Sequence, residues 1–233
     1  MEELEVELER ARELEVADLA DAIEAIGFEC TRCGACCKSE ADDPHTATVF
    51  PDEVRELEDA TERDRRSRDA ASKSPSQSSR DWREVARPMP YGLDEDGAGE
   101  TFEWALQTAA CGDCTFYEED EDGTGACTVH DSRPLICETY PFSVALGGTS
   151  QPMGEAVDES GMVRAHECEG LRRDISREDA ESLAAALKER AVRDIEEAIA
   201  VRDNYEPADP APGETVVHDS EGAKRPDGTA YEG

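Results

Sequence analysis

The sequence predicts a small α+β protein, mainly helical, with few short strands and with cysteine-rich loops gathered around a metal site. Three observations lead to this prediction. Apolar residues recur every three or four positions near both ends of the chain, which is the spacing of one helix face. Alternating apolar residues occur only in short runs, which predicts short strands. Nine cysteines lie between positions 30 and 168 of the 233 residues.

The terminal segments are predicted from local patterns. Residues 1–27 are expected to be an N-terminal helix, because apolar side chains keep helical spacing over residues 2–26 and a glycine follows as a stop. A long C-terminal helix is predicted over 176–203, opened by a capping pair of Ser176 and Asp179. Residues 204–233 are rich in proline, glycine and acids, so a disordered acidic tail is expected there.

Residues 28–175 are predicted to form the cysteine-cluster, metal-binding domain. Within it, residues 51–62 have the pattern of a short helix that begins at a proline. Residues 63–80 hold six basic and two acidic residues among many serines, which indicates a flexible basic insertion. Thr101 to Ala109 alternates Phe102, Trp104 and Leu106, as a strand does, and a second short strand is expected near Ser143–Leu146.

The charge of the chain excludes some partners. It has 58 acidic and 24 basic residues, a formal net charge of −34. Nucleic acids and anionic membranes are therefore not expected as partners, because both need clustered cations. A disordered acidic protein is one interpretation. We favour a folded, halophilic protein from a salty cytoplasm, because the acids are spread among apolar periodic segments and molar salt reduces the Debye length to about 3 Å.

A cytoplasmic location is expected, since the acidic start of the chain does not resemble a signal peptide and no apolar run has the length of a membrane span. Thiols in that compartment stay reduced, so the cysteines point to metal binding. Cys30, Cys33, Cys36 and Cys37 lie within eight residues, and Cys111, Cys114, Cys127, Cys137 and Cys168 follow. Two residues between cysteines let a tight turn bring both sulfurs to one metal, and Gly34 permits a positive φ there.

Other interpretations of the thiols remain open. A cysteine such as Cys168 also suits a small buried apolar position, and a two-residue spacing also suits a redox dithiol. His130 and His166 are candidate ligands for zinc or for an iron–sulfur site, whereas His45 and His218 lie in polar segments and are expected to be solvated. Arg32, Lys38 and Arg133 lie near the cysteines, where cations would offset thiolate charge.

At these residues the sequence resembles the YkgJ-type cysteine cluster family, named for its CxxCxxCC motif and described as a zinc- or iron-chelating domain. The first similar block is the group from Cys30 to Cys37, with Gly34. The second runs from Cys114 through the Arg133–Pro134 pair to Tyr140-Pro141-Phe142, and the last is Cys168-Glu-Gly170. His130 and Glu138 depart from residues common in the family, and Cys111 is additional to its simplest pattern.

The resemblance implies an iron–sulfur cluster, for example of the [4Fe–4S] type, or zinc as the cofactor. Without Cys111, eight cysteines suffice for two four-thiolate sites or one larger shared site. The adjacent Cys36 and Cys37 point in different directions, so one alternative is that they serve different metals, and the sequence does not assign the partition. We expect Arg133 and Tyr140 to contribute to cofactor binding. The arginine can donate to sulfur or to a carboxylate, and the Tyr140-Pro141-Phe142 segment is expected to pack beside the cluster and exclude water.

Three functional classes are compatible with these observations. The first is a metal-binding protein with a structural or electron-carrying centre. The second, from the resemblance, is an iron–sulfur oxidoreductase or an enzyme like the lysine N-methylases. The third is a zinc-stabilised module that binds a protein partner through its long C-terminal helix. Metal ions are the expected partners in all three.

Overall fold

The computed structural model describes residues 4–39, 45–69, 81–146 and 156–232. This part of the chain contains six α-helices and eleven short strands. The helices are α1 (Leu4–Glu13), α2 (Val16–Ile26), α3 (Pro51–Asp69), α4 (Trp82–Val85), α5 (Leu135–Thr139) and α6 (Arg177–Asn204). The strands are β1 (Thr48–Val49), β2 (Ala86–Pro88), β3 (Gly99–Phe102), β4 (Trp104–Leu106), β5 (Tyr117–Glu119), β6 (Gly125–Cys127), β7 (Phe142–Val144), β8 (Ala156–Asp158), β9 (Val163–His166), β10 (Thr215–Asp219) and β11 (Gly222–Lys224).

The α+β class is confirmed, although strands are more numerous than the sequence predicted. They form three small three-stranded sheets and one two-stranded sheet in the described residues. The chain divides into two compact units. The first comprises Met1–Cys36, Glu119–Gly125 and Leu135–Ile199, and the second comprises Cys37–Glu118, Ala126–Pro134 and Ala200–Gly233.

The first unit packs three helices against an antiparallel sheet. Its sheet has the order β7-β9-β8, and α1, α2 and α6 bury apolar side chains against it. Leu19 and Ile23 of α2 lie in the same core as Leu187 of α6 and Phe142 of β7. Phe28, just after α2, meets the Phe142 ring edge to face at a centroid distance of 5.6 Å. The start of the segment that follows α2 is therefore anchored against this sheet.

The predicted single N-terminal helix is two helices. Leu14 and Glu15 separate α1 from α2, and Glu15 has an extended backbone with φ −89° and ψ 122°. Leu14 is buried in the core at this break. No glycine or proline marks this break, so the periodic pattern alone predicted one continuous helix.

The capping pair predicted at the start of α6 is confirmed. The Asp179 amide donates to Ser176 Oγ at 3.1 Å, and Ser176 Oγ donates to Asp179 Oδ2 at 2.6 Å. Farther along, the buried Arg190 donates from Nη1 to Thr139 Oγ1 at 3.1 Å, and its Nε lies 3.6 Å from Asp194. These contacts join α6 to the end of α5.

Replacing Ser176 with alanine is expected to lower the free energy of unfolding by about 1 kcal/mol, because one amide at the start of α6 loses its acceptor. Ser176→Asp keeps a capping oxygen and is the matched control. Chemical denaturation followed by circular dichroism at 222 nm measures both variants. Equal stability of Ser176→Ala and the unmodified protein would show that the cap contributes nothing.

The second unit is built on two small sheets. One has the order β1-β4-β2 and is antiparallel, and the other has the order β11-β10-β3, in which β10 runs parallel to β3. The strand predicted over Thr101–Ala109 is divided at Glu103, whose φ is 74°. Trp104 and Leu106 are buried as expected, whereas the break turns Phe102 outward and leaves it 46% exposed.

The prediction of a disordered tail over 204–233 does not hold for its central part. Residues 215–224 form β10 and β11, and Val216 and Val217 are completely buried. Val217 is paired with Thr101 of β3 and with Lys224 of β11. The acidic, proline-rich composition around this segment hides two strands, of which β11 pairs with the adjacent β10 and β10 pairs with β3, far away in the sequence.

The basic insertion predicted over 63–80 is also corrected in part. Helix α3 continues to Asp69, past the end at residue 62 that the sequence indicated, so residues 63–69 are helical. Residues 70–80 lie outside the described part of the chain. None of the helices in the described residues combines the length and the apolar character that a membrane span requires.

The charged residues after β10 join elements of the second unit. Glu221 accepts hydrogen bonds from both Nη atoms of Arg55 and from Lys224. Hydrogen bonds from the Arg55 guanidinium, and then from Lys224, together lower the pKa of Glu221 to about 2 against the opposing effect of burial. The carboxylate therefore stays ionised well into the acid range.

This ion pair predicts a specific pH dependence. A carboxyl group whose pKa is depressed in the folded state contributes stability that is fully present above its unfolded pKa of about 4.5 and is lost as pH falls towards 2. The difference in unfolding free energy between the unmodified chain and Glu221→Gln is expected to be constant above that pH and to shrink below it. Denaturation at several pH values in molar salt measures this difference. A difference independent of pH would contradict the predicted contribution.

Candidate metal centre

The first cysteine segment follows α2 in the first unit. Gly27 ends the helix with φ 76°, and a Cβ there would lie 2.4 Å from the carbonyl oxygen of Arg173. Arg32 and Gly34 both have positive φ, of 57° and 75°, so the backbone turns twice within the CxxCxxC stretch. The positive φ expected at Gly34 is confirmed. A 3-10 turn at Ala35–Cys37 then ends the segment.

A ladder of backbone contacts places this segment beside the loop that carries Cys168. Phe28 forms a β-bridge with Leu171. The Glu29 amide donates to the Gly170 carbonyl at 3.0 Å, and the Arg172 amide donates to the Gly27 carbonyl at 2.9 Å. On the other side of the segment, the Gly125 amide donates to the Arg32 carbonyl at 2.7 Å. We call the contacts that join Gly27–Glu29 to Gly170–Arg172 the backbone clamp.

The clamp brings thiols into electrostatic range of one another. Burial raises the pKa of the Cys168 thiol, the Gly170 amide opposes this with a hydrogen bond to Sγ at 3.4 Å, and the charges of Cys33, Cys36 and Cys30 raise it further. An amide that donates to a cysteine sulfur stabilises the thiolate, the form that binds metal.

Tyr140 lies beside the same thiols. Its hydroxyl donates to the Glu167 carbonyl, one residue before Cys168. Burial is the main cause that raises the pKa of Tyr140 to about 12. The smaller contributions to that value come from Cys168, Cys36, Glu167 and Cys33. The tyrosine follows α5, which carries Cys137, a half-buried thiol in the same unit. Its position agrees with the expected packing beside the cysteines, and its part in binding a cofactor stays a prediction.

The second cysteine group lies in the second unit. The Cys114 amide donates to the Cys37 carbonyl at 2.8 Å, and Cys114 also bridges Thr108. Ser39 connects this pair to the CGDC turn, since its amide donates to Asp113 Oδ1 at 3.0 Å and its hydroxyl donates to the Cys111 carbonyl at 3.2 Å. Cys37, Cys111 and Cys114 are therefore held at one place by backbone and short side-chain bonds.

Cys127 reaches the same region through a neighbouring strand. The Tyr117 amide donates to the Cys114 carbonyl at 3.0 Å, and the Thr128 amide donates to the Phe116 carbonyl at 2.9 Å. Cys127 stands immediately before Thr128 at the end of β6. A groove of about 330 Å³ opens beside Cys127 and is lined also by Arg63 of α3 and by residues 128–132.

His130 lines the groove beside Cys127, and Arg133 and the other histidines make separate contacts. Arg133 Nε donates to the His130 carbonyl at 3.0 Å and so supports the 3-10 turn His130–Ser132. His166 is buried, and its Nε2 lies 2.8 Å from Ser143 Oγ. His45 and His218, expected to be solvated, are both buried, and His218 Nε2 lies 2.8 Å from Glu100 Oε2. The polar segments around these two histidines misled the sequence interpretation, because His218 lies in the buried strand β10 and His45 is buried just before β1.

The donor set fits a thiolate-preferring metal. All nine cysteines are outside disulfide bonds, and thiolates suit zinc and iron–sulfur clusters. In the described residues, no three or more His, Cys, Asp and Glu side chains are grouped closely enough to hold a metal ion. Coordination by these thiols would therefore include movement of their side chains. Several are on exposed or half-buried loops, where such movement is sterically permitted.

The sequence missed one feature of the site. The chain passes from the first unit to the second between Cys36 and Cys37. The additional Cys111 joins Cys37 in the second unit, whereas Cys137 and Cys168 belong to the first. Nothing in the local spacing signals this division, because it depends on hydrogen bonds between segments far apart in the chain.

No curated protein and no solved structure matches the chain. A family model does match, over residues 29–169, which is more than half of the 233 residues. It describes the CxxCxxCC family as a putative zinc- or iron-chelating domain, which agrees with the resemblance carried by the cysteine motifs. The chain, with its two groups of cysteines, belongs to the CxxCxxCC family.

Proposed function

We propose that this protein uses its cysteines to hold a thiolate-bound metal centre, either zinc or an iron–sulfur cluster. The observation that carries the proposal is the backbone clamp. It joins Gly27–Glu29, just before the CxxCxxC segment, to Gly170–Arg172, just after Cys168, through the two backbone hydrogen bonds that make up the Phe28–Leu171 bridge. Thiols from two distant parts of the chain therefore come near one another. Four thiolates in one place repel one another, and a bound cation offsets that repulsion.

A redox dithiol is less well supported by the same geometry. In a thioredoxin-like site, the two-cysteine motif lies within a βαβ unit. Here the motif follows helix α2 and an isolated bridge at Phe28, and further thiols accompany the first pair. A disulfide between two of them would leave the others without a role, whereas a metal uses them together.

The exposure of the cysteines suggests how a centre would be used. Cys30 and Cys36 are exposed, and so is Cys111 in the second unit. An iron–sulfur cluster held there lies close to the surface, and solvent exposure is one of the factors that set its potential. Such a position suits electron exchange with a protein partner. Zinc in the same place would act as a structural crosslink for the cysteine loops.

The test is to purify the protein without oxygen in high salt, and to measure zinc, iron and acid-labile sulfide per chain together with the visible spectrum. Iron with matching sulfide and absorption near 400 nm supports an iron–sulfur centre. Zinc without sulfide supports the structural form. A chain that carries neither metal, and that does not take up either one under reducing conditions, would overturn the proposal.

A further inference from the structure

We infer that the cysteines form two separate metal centres and that the consecutive residues Cys36 and Cys37 serve different ones. The first thiol set is Cys30, Cys33, Cys36 and Cys168, and the second thiol set is Cys37, Cys111, Cys114 and Cys127. This inference rests on the proposed function and adds to it the partition of the ligands.

The first thiol set belongs entirely to the first unit. The backbone clamp joins Glu29, next to Cys30, to Gly170, two residues after Cys168. Cys33 and Cys36 lie within electrostatic range of Cys168, and the Gly170 amide donates to its sulfur. The loops of this set are thus connected to one another by bonds that do not involve the second thiol set.

The second thiol set belongs entirely to the second unit. Its loops are connected by hydrogen bonds. The Cys114 amide donates to the Cys37 carbonyl, the Ser39 amide donates to Asp113, and the Ser39 hydroxyl donates to the Cys111 carbonyl. Cys127 ends β6, which pairs with β5, and the amide of Tyr117 at the start of β5 donates to the Cys114 carbonyl. Cys111, which is additional to the simplest family pattern, is the fourth thiol of this set.

The local backbone explains how the side chains of two consecutive cysteines can point to different metal centres. Cys36 and Cys37 lie in the 3-10 turn Ala35–Cys37. A 3-10 helix has three residues per turn, so consecutive side chains point about 120° apart. Each set then contains four thiols, which is the number that structural zinc and common iron–sulfur clusters take. Cys137 remains as a fifth thiol of the first unit, outside both sets.

The test compares Cys36→Ser with Cys37→Ser, two adjacent changes with different expected results. Each variant and the unmodified chain are purified without oxygen, their metal content is measured, and their thiols are mapped by alkylation and mass spectrometry. Each variant is expected to keep about half of the metal of the unmodified chain. In Cys36→Ser the second thiol set stays protected, and in Cys37→Ser the first thiol set stays protected. Cys137 reacts in both.

Cys168→Ser and Cys127→Ser form a second pair that repeats the test with half-buried thiols, in case an adjacent variant does not fold. Loss of all metal from folded variants of both pairs would show one shared site and overturn the inference. Protection of the same cysteines in Cys36→Ser and Cys37→Ser, or of Cys137 in place of Cys168, would also overturn it. These results differ from failure of the proposed function, in which the unmodified chain itself binds no metal.

Discussion

The Gly170→Ala variant is expected to bind metal at the first thiol set about 10- to 100-fold more weakly than the unmodified chain, the loss typical of a change in the residues that support metal ligands. A Cβ on Gly170 would lie 2.4 Å from the Glu29 carbonyl oxygen and 3.0 Å from Phe28 Cε2. The Glu29 backbone is held in place because its amide donates to the Gly170 carbonyl. The added methyl group therefore pushes apart the two segments of the backbone clamp, Gly27–Glu29 and Gly170–Arg172, and moves Cys168 away from Cys30.

Gly161→Ala is the matched control, because a Cβ at Gly161 meets no atom within 4 Å in the same unit. Titration against a competing chelator measures the affinity of both variants, and circular dichroism verifies that α1, α2 and α6 remain folded. Gly161→Ala is expected to bind metal with the same affinity as the unmodified chain. If Gly170→Ala bound metal as tightly as Gly161→Ala, the clamp would have no part in assembling the thiols.

Replacing Asp219 with alanine is expected to destabilise the second unit by about 3–5 kcal/mol, the cost of breaking a buried ion pair by removing one partner. Asp219 is completely buried at the end of β10. Its Oδ2 accepts from Trp104 Nε1 and from Lys224 Nζ, each at 2.7 Å, and its Oδ1 accepts from the Glu221 amide at 2.9 Å. Alanine leaves the buried indole N–H and the largely buried ammonium group without this acceptor.

The exposed Asp209→Ala provides the control, since Asp209 lies on the surface of the same unit. Adding Lys224→Met to Asp219→Ala removes the ammonium group that has lost its buried partner and is expected to recover part of the loss. Denaturation of the four proteins in molar salt gives the free energies of unfolding. A loss in Asp219→Ala no larger than in Asp209→Ala would contradict the structural importance of this network.

Local features were predictable from the sequence because they depend on neighbouring residues. The α6 helix and its Ser176–Asp179 cap follow from capping chemistry and helical spacing, and they are present. The turn at Gly34 follows from its freedom to adopt positive φ. The same reasoning identified the family, since closely spaced cysteines are a local motif.

Features that depend on distant partners were not predictable. β10 is stabilised by its parallel pairing with β3, and the acidic residues around it concealed two buried valines. His218 is buried because that pairing carries it inward, beside Glu100. The assignment of Cys36 and Cys37 to different units is of the same kind, because it follows from bonds of Glu29 to Gly170 and of Cys37 to Cys114.

The central claim is that the thiols of this protein hold metal, and alkylation of the unmodified chain before and after chelation tests it most directly. In the metal-bound protein, the eight cysteines of the two thiol sets are expected to be protected from alkylation, whereas Cys137 reacts. All nine cysteines are expected to react once the metal is removed under reducing conditions. Reaction of all nine thiols in protein that still carries its metal would show that the cysteines do not bind it, and would contradict the account.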